Sequence, residues 1–241
     1  MSKKTEYATG LDKFNRIGTA TNVGFHVIFI LLALICLVPV LVVLSISLSS
    51  EDSIRNDGYH LLPTALSGEA YDYIAQQGRM ITRALGVSVL VTVAGTALGV
   101  LLTTSMGYVL SRPNYKLKGL LTWVVFIPMV FNGGLVSSYY INSNLLGLKD
   151  TVWALILPLA VSSFNVIICK TFFRSTIPDA LIESAEIDGS SQLRIFFSIV
   201  LAISLPVLAT IGLFLCFSYW NDWFQSMLYI DNQSLYSLQA L

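Results

Sequence analysis

Residues 23–48 read VGFHVIFILLALICLVPVLVVLSISL, a run without a single Asp, Glu, Lys or Arg. A bilayer core about 30 Å thick needs about 20 apolar residues in helical form, so this run is long enough to cross it. It is also too long for the apolar region of a signal peptide, and no small-residue cleavage site follows, so it reads as an uncleaved anchor. Four further runs come close to the same standard: 84–110, again uncharged, 120–140, 151–169 and 195–220. None alternates with period two, which excludes strands and with them a closed barrel. The predicted fold class is an all-α integral membrane protein with five visible spans.

Composition agrees. Of 241 residues, 55% are hydrophobic and only 12% charged, where a soluble domain carries about a quarter charged residues. Fourteen Lys and Arg balance fourteen Asp and Glu, so the basic footprint of a nucleic-acid binder is missing. Cys36, Cys169 and Cys216 lie far apart in apolar runs, and His26 and His60 are isolated from them. That leaves no metal-ligand spacing, and no metal site is expected.

Orientation follows from Lys and Arg in the short flanking segments. Lys3, Lys4, Lys13, Arg16, Arg112, Lys116, Lys118, Lys170, Arg174 and Arg194 fall on one side, and Arg55, Arg79, Arg83 and Lys149 on the other. Residues 1–22 are therefore expected to form a cytoplasmic N-terminal segment ahead of a transmembrane domain over 23–241. The 170–194 loop is cytoplasmic on the same count. Trp153 and Trp220 then fall at external span ends and Trp123 near an internal one, as an aromatic belt would have it.

Pro39, Pro128, Pro158 and Pro206 lie within or beside spans. Each removes a backbone donor, so each is expected to kink its helix or to sit where a neighbour repairs the gap. Gly95 and Gly99 form a small-xxx-small pair suited to close helix contact. Five spans place the C-terminus outside after a polar stretch with no final anchor, so the natural chain is expected to continue past Leu241.

No span holds an ionisable Asp, Glu, Lys or Arg, which counts against a proton- or ion-coupled carrier. The chain also lacks a G-x-x-x-x-G-K-[ST] loop, and Leu66-Ser67-Gly68-Glu69 only faintly echoes an ATPase signature on the external side. The distinctive segment is 170–194. Pro178 suits the first turn of a short helix, with Asp179 near its positive end and Glu183 and Glu186 following. Leu181 and Ala185 share a face at i, i+4. Gly189 can end the helix in the left-handed conformation, and Ser190 or Ser191 can cap the next one. A rigid knob is one reading of this pattern and an ordinary connecting loop is the other.

The residues Glu183-Ser184-Ala185-Glu186-Ile187-Asp188-Gly189, with Ile199 following after nine intervening residues, resemble the E-A-A-x-x-x-G…I-x-L-P motif of permease subunits of bacterial ABC importers. Asn132-Gly133-Gly134-Leu135, Leu146-Gly147-Leu148, the 153–158 run, Phe172-Phe173 and Trp220-Asn221 extend the likeness over roughly 83–241. It is closest to the carbohydrate-uptake, maltose-type, binding-protein-dependent family in its complex-oligosaccharide branch. Two positions depart from the pattern: Ser184 replaces the first Ala of the pair, and Ala202 stands where proline is expected, leaving Pro206 to kink the chain a turn later.

The resemblance implies a type I ABC importer permease bundle of six helices, the sixth beyond the end of this chain, in a multi-pass protein of the bacterial cell membrane. It implies a second homologous permease, two copies of a cytoplasmic ABC ATPase, an extracellular lipid-anchored sugar-binding protein and surrounding lipid. ATPase coupling would fall to Glu183, Ser184, Ala185, Glu186, Asp188 and Gly189. The chain would be non-catalytic and bind no cofactor of its own, with ATP and Mg held by the partner ATPases. Aromatic and amide side chains are the usual sugar-facing groups, which makes Asn132, Tyr139, Asn165 and Tyr219 substrate-path candidates, with Tyr140 and Asn142 beside them. Each can equally be a belt tyrosine or a packing amide, and in the maltose-type relative the partner permease provides the membrane sugar site. A secondary carrier or channel-like protein remains the alternative function. An intramembrane enzyme is a remote third class, because Ser88, Ser105 and the cysteines have no base beside them in the spans.

Overall fold

The computed structural model describes residues 18–63 and 65–241. Lys3, Lys4, Lys13 and Arg16, with most of the 1–22 segment, lie outside the described residues. The chain divides after Gln77 into two compact units.

In the first unit, helix α1 (Thr19–Ser47) continues unbroken through Pro39. Its large apolar side chains are exposed along its whole length, as in a helix meant for lipid or a partner rather than for its own chain's core. Two short helices follow, α2 (Glu51–Asp57) and α3 (Glu69–Gln76). Ser50 caps α2 by accepting the Ser53 N–H at 3.3 Å, with Glu51 and Asp52 in the favourable first turn. A single antiparallel bridge pairs Ser49 with Leu66.

The second unit is built on α4 (Gly78–Ser111), whose buried positions form one stripe of small and hydroxylated residues: Ala84, Ser88, Thr92, Gly95, Gly99, Thr103 and Gly107. Lipid tails are as apolar as leucine, so close packing of small residues holds such helices together. Added Cβ atoms measure the closeness. On Gly95 it would lie 2.5 Å from the Tyr219 ring, on Gly99 2.7 Å from the Ala160 carbonyl, and on Gly107 2.5 Å from Cys169 Cβ. Gly95 and Gly99 thus serve packing within this chain. Of the cysteines only Cys169 is buried; Cys36 and Cys216 face outward.

Among the described residues, α1 and α4 are the two helices long and apolar enough to cross a membrane without a break. The other three predicted spans, 120–140, 151–169 and 195–220, are interrupted at or beside the prolines expected to kink them. The first splits into α5 (Lys118–Val130) and α6 (Gly134–Tyr140), the latter running into a π-turn at Ile141–Leu145. Pro128 withholds a donor, Phe131 is extended, Gly134 has φ +81° and the Asn132 carboxamide accepts the Gly134 N–H at 2.8 Å. The second consists of α7 (Val152–Ile156), a 3₁₀ turn at Leu157–Leu159 and α8 (Ser163–Thr176), bent by 50° and extending past the predicted end. Pro158 causes the turn, and the Tyr219 hydroxyl repairs it by donating to the Ile156 carbonyl at 2.7 Å. The third comprises α10 (Gln192–Ile195), a π-turn at Phe196–Val200, α11 (Leu201–Ile203) and α12 (Leu205–Trp220), bent by 86° where Pro206 follows Ser204.

The polar stretch after α12 is docked rather than loose. Helix α13 (Phe224–Tyr229) stacks Tyr229 on Tyr139 at 5.9 Å between ring centroids. Asp150, in left-handed conformation at φ +56°, accepts the Asp231 and Asn232 N–H groups at 2.6 and 2.9 Å. Lys149 pairs with Asp231 at 2.8 Å, and Ser88 on α4 accepts the Leu238 N–H at 2.8 Å.

Candidate functional site

At the Ser111 end of α4, the 170–194 segment folds into a helix–turn–helix that leaves one face free. Ile177 is buried, and Pro178, extended at ψ 139°, is the N-cap of helix α9 (Asp179–Ile187) rather than its first residue. The residues that α9 turns inward are Ile182 and Ala185 at i, i+3. Leu181 is exposed, so the predicted Leu181–Ala185 face is not the packed one; Ile182 supplies the larger side chain for the aromatic base beneath. That base is Tyr108, Phe173 and Phe196, with Tyr108 lying 6.3 Å and 5.4 Å from the other two rings.

The turn has the geometry expected of Gly189. Its φ is +77°, its N–H donates to the Glu186 carbonyl at 3.0 Å, and the Ser190 N–H donates to the Ala185 carbonyl at 3.0 Å. These paired bonds form a Schellman motif, which satisfies the last carbonyls of α9. Ser191, not Ser190, then caps α10 by accepting the Arg194 N–H at 3.4 Å. Gln192 Nε2 donates to Glu186 Oε1 at 2.5 Å across the turn, tying α9 to α10.

A clamp invisible in the sequence holds the start of α9. Arg112 Nη1 lies 3.0 Å from Asp179 Oδ1. Its guanidinium sits 5.2 Å over the Tyr108 ring, and Lys118 Nζ donates to the Arg112 carbonyl at 3.0 Å. The partners are 67 residues apart, and nothing local links them. Lys118 has its ammonium held below the usual lysine range by desolvation first, then by Arg174, Lys170 and Arg112 nearby. Those four cations share one end of the unit, the end bearing α9.

Glu183, Ser184, Glu186, Asp188 and Gly189 are exposed, while Ala185 packs inward. Ile187, between Glu186 and Asp188, is 86% exposed and Leu193, between Gln192 and Arg194, 71%. A cleft of about 430 Å³ between α9 and the end of α4 is lined by Arg112, Asp179, Glu183, Glu186 and Phe196. The arrangement suits docking, since an apolar centre rimmed by charge is what a partner surface covers.

The four substrate-path candidates lie away from α9. Asn132 caps the break before α6. Tyr139 is half-buried against Tyr229, whose hydroxyl accepts the Asn142 amide at 3.0 Å. Tyr140 is exposed. Tyr219 is 3% exposed with its hydroxyl on Ile156, so within this chain it is a packing residue. Asn165 is buried and lines a cavity beside Pro158.

The chain is 40% identical over 227 residues to the polygalacturonan/rhamnogalacturonan transport system permease protein YtcP of Bacillus subtilis (strain 168), covering 94% of this chain and 77% of that one. It is 38% identical over 207 residues to protein LplC of the same organism, covering 86% and 69%. Among solved structures it resembles a chain in the crystal structure of a bacterial ABC transporter involved in the import of the acidic polysaccharide alginate. The TM-score is 0.80 at 25% identity, over 93% of this chain and 80% of that one. No family model matches the chain.

Proposed function

The chain belongs to the permease subunits of ATP-binding cassette importers for oligosaccharides, and from that premise we propose how it couples and what it works with. It is a multi-pass membrane protein with its N-terminus in the cytoplasm, which puts α9 on the ATPase side. The coupling surface is the exposed face of α9 with its flanking turn: Glu183, Ser184, Glu186, Asp188 and Gly189, centred on Ile187. Ala185 contributes from beneath by fixing the helix to its base. The partners are a second permease, two copies of a cytoplasmic ATPase and an extracellular lipid-anchored sugar-binding protein. ATP and Mg are bound and hydrolysed on the ATPases, and this chain is non-catalytic. Its cargo is an oligosaccharide of the acidic kind handled by its relatives.

The observation that supports this reading most is the rigid, outward-facing α9, built on the motif residues and locked by Gly189. The mechanism is mechanical. Closure of the ATPases displaces α9, the Schellman turn and the Glu186–Gln192 bond pass the motion to α10, and the bend at Ser204 turns it into a tilt of α12. Because the Tyr219 and Leu215 side chains of α12 sit directly on Gly95 and Gly99, a tilt there moves the packed core rather than deforming it.

Two measurements test the proposal. Purification of the chain from its native membrane retains an ATPase, and loses it on Ile187→Asp. An impermeant thiol reagent applied to sealed cells modifies Asp57→Cys and not Ser190→Cys; labelling of Ser190→Cys refutes the orientation.

A further inference from the structure

The breaks after α5 and α7 line two cavities that share Pro158. The one nearer the Asp150–Asn232 end measures about 410 Å³ and is lined by Asn132, Ser138, Asn142, Gln225 and Tyr229. The other measures about 640 Å³ and is lined by Pro128, Ser162, Asn165, Phe217 and Ser218. Both fall in the range of about 300–1,000 Å³ typical of small-molecule sites. Neither is lined by an Asp, Glu, Lys or Arg.

Three independent features favour a polar occupant. Irregular backbone at membrane depth is tolerated only where it is buried in protein or lines a water-filled cavity, and both breaks open onto these cavities. The Asn165 side chain is 6% exposed and, among the described residues, has no hydrogen-bond partner. Gln225 Oε1 is likewise buried and unpartnered. Of the other lining groups, Ser138 donates to Gly134, Ser218 to Phe214, and Asn142 to Tyr229. One buried acceptor, Gln225 Oε1, and one carboxamide without a partner, that of Asn165, therefore stand along one uncharged furrow, and a buried group left so costs free energy until something bonds to it.

We infer that the two cavities form a single furrow through which an oligosaccharide passes by its hydroxyl-bearing face, with Asn165 and Gln225 as the hydrogen-bonding groups. A carboxamide both donates and accepts, which matches a hydroxyl that does the same. Phe217 offers apolar ring surface for sugar C–H groups. With no cation in the lining, the furrow reads hydroxyls and holds no carboxylate by an ion pair, which leaves the sugar free to move on. The inference rests on the oligosaccharide reading above. It departs from the maltose-type arrangement, in which the partner permease provides the sugar site.

The test uses the whole complex in proteoliposomes with oligogalacturonides as the probe. Asn165→Leu and Gln225→Leu keep side-chain volume and remove the amide. Each is expected to lower the sugar moved per ATP hydrolysed by tenfold or more, with the assembled complex present in normal amount. Thr103→Val, which removes a buried hydroxyl outside the furrow, leaves that ratio unchanged. In a Cys36→Ser, Cys216→Ser background, a water-soluble methanethiosulfonate modifies Ser162→Cys, and the probe slows the reaction severalfold. A wild-type ratio in both Leu variants overturns the furrow. So does an unreactive Ser162→Cys, even where the Leu variants fail to assemble. A wild-type complex that hydrolyses ATP but moves no oligogalacturonide overturns instead the substrate reading beneath it.

Discussion

Replacement of Gly189 isolates the turn from everything around it. The residue has φ +77°, and a Cβ built there meets no atom within 4 Å, so substitution brings backbone strain without a clash. For alanine the left-handed region costs roughly 1–2 kcal/mol. A β-branched residue is a genuine outlier there, which puts valine near the top of the roughly 1–3 kcal/mol range for strained backbone. Asparagine visits this region readily. If the turn relaxes instead, the N–H bonds from Gly189 and Ser190 are lost, at about 1 kcal/mol each. Strain of about 1.4 kcal/mol is a tenfold change in the population of the docked geometry, so the expected order of coupling is Gly, then Asn, then Ala about tenfold down, then Val about a hundredfold down. The assay is oligosaccharide uptake and ATP hydrolysis by the reconstituted complex, with the amount of this subunit in the membrane as control. Both activities fall together, and the amount stays constant because no membrane helix is altered. Wild-type uptake by Gly189→Val refutes the reasoning. An Asn variant as impaired as Val refutes it differently, by showing that side-chain bulk and not backbone conformation matters.

Three further outcomes are expected. Arg112→Asp and Asp179→Arg each loosen the start of α9, and the double exchange restores coupling; with Asp179 58% exposed, solvent screening limits the pair to about 0.5–1 kcal/mol, read as a two- to fivefold loss of uptake in each single variant. Gly107→Ala forces a Cβ to within 2.5 Å of Cys169 Cβ, an overpacking that costs about 1–3 kcal/mol and lowers the temperature at which the detergent-solubilised complex loses its fold. Asp150 has its carboxyl held below the ordinary value of 3.8 by the Asn232 and Asp231 N–H groups; its stabilising contribution is therefore complete above that value and lost as the pH falls through the lower folded value. The protection factor of the Asp231 and Asn232 amides, corrected for the intrinsic pH dependence of exchange, falls on that acidification and, in Asp150→Ala, is already low at neutral pH.

Much of this molecule was legible from the chain alone because the signals are local. Twenty uncharged residues in succession permit only a membrane helix, and α1 and α4 appear where the runs predict. Gly189 is followed by a capping serine and preceded by a helix-forming stretch, so the turn and its hand follow from neighbours in sequence. The motif marks the α9 face proposed for coupling for the same reason. Tertiary structure decided where information is non-local. Hydropathy averages over a window, so it registers 120–140, 151–169 and 195–220 as apolar without registering that Pro128, Pro158 and Pro206 break them; whether a proline bends or severs a helix depends on which neighbour satisfies the freed carbonyl, as Tyr219 does for Ile156. Which face of α9 is buried depended on the Tyr108–Phe173–Phe196 base, contributed by three separate segments. The Arg112–Asp179 clamp and the Asp150 contacts to Asp231 and Asn232 join residues 67 to 82 apart. A sequence fixes the chemistry of each partner, but only packing of the helices brings them to within 3 Å.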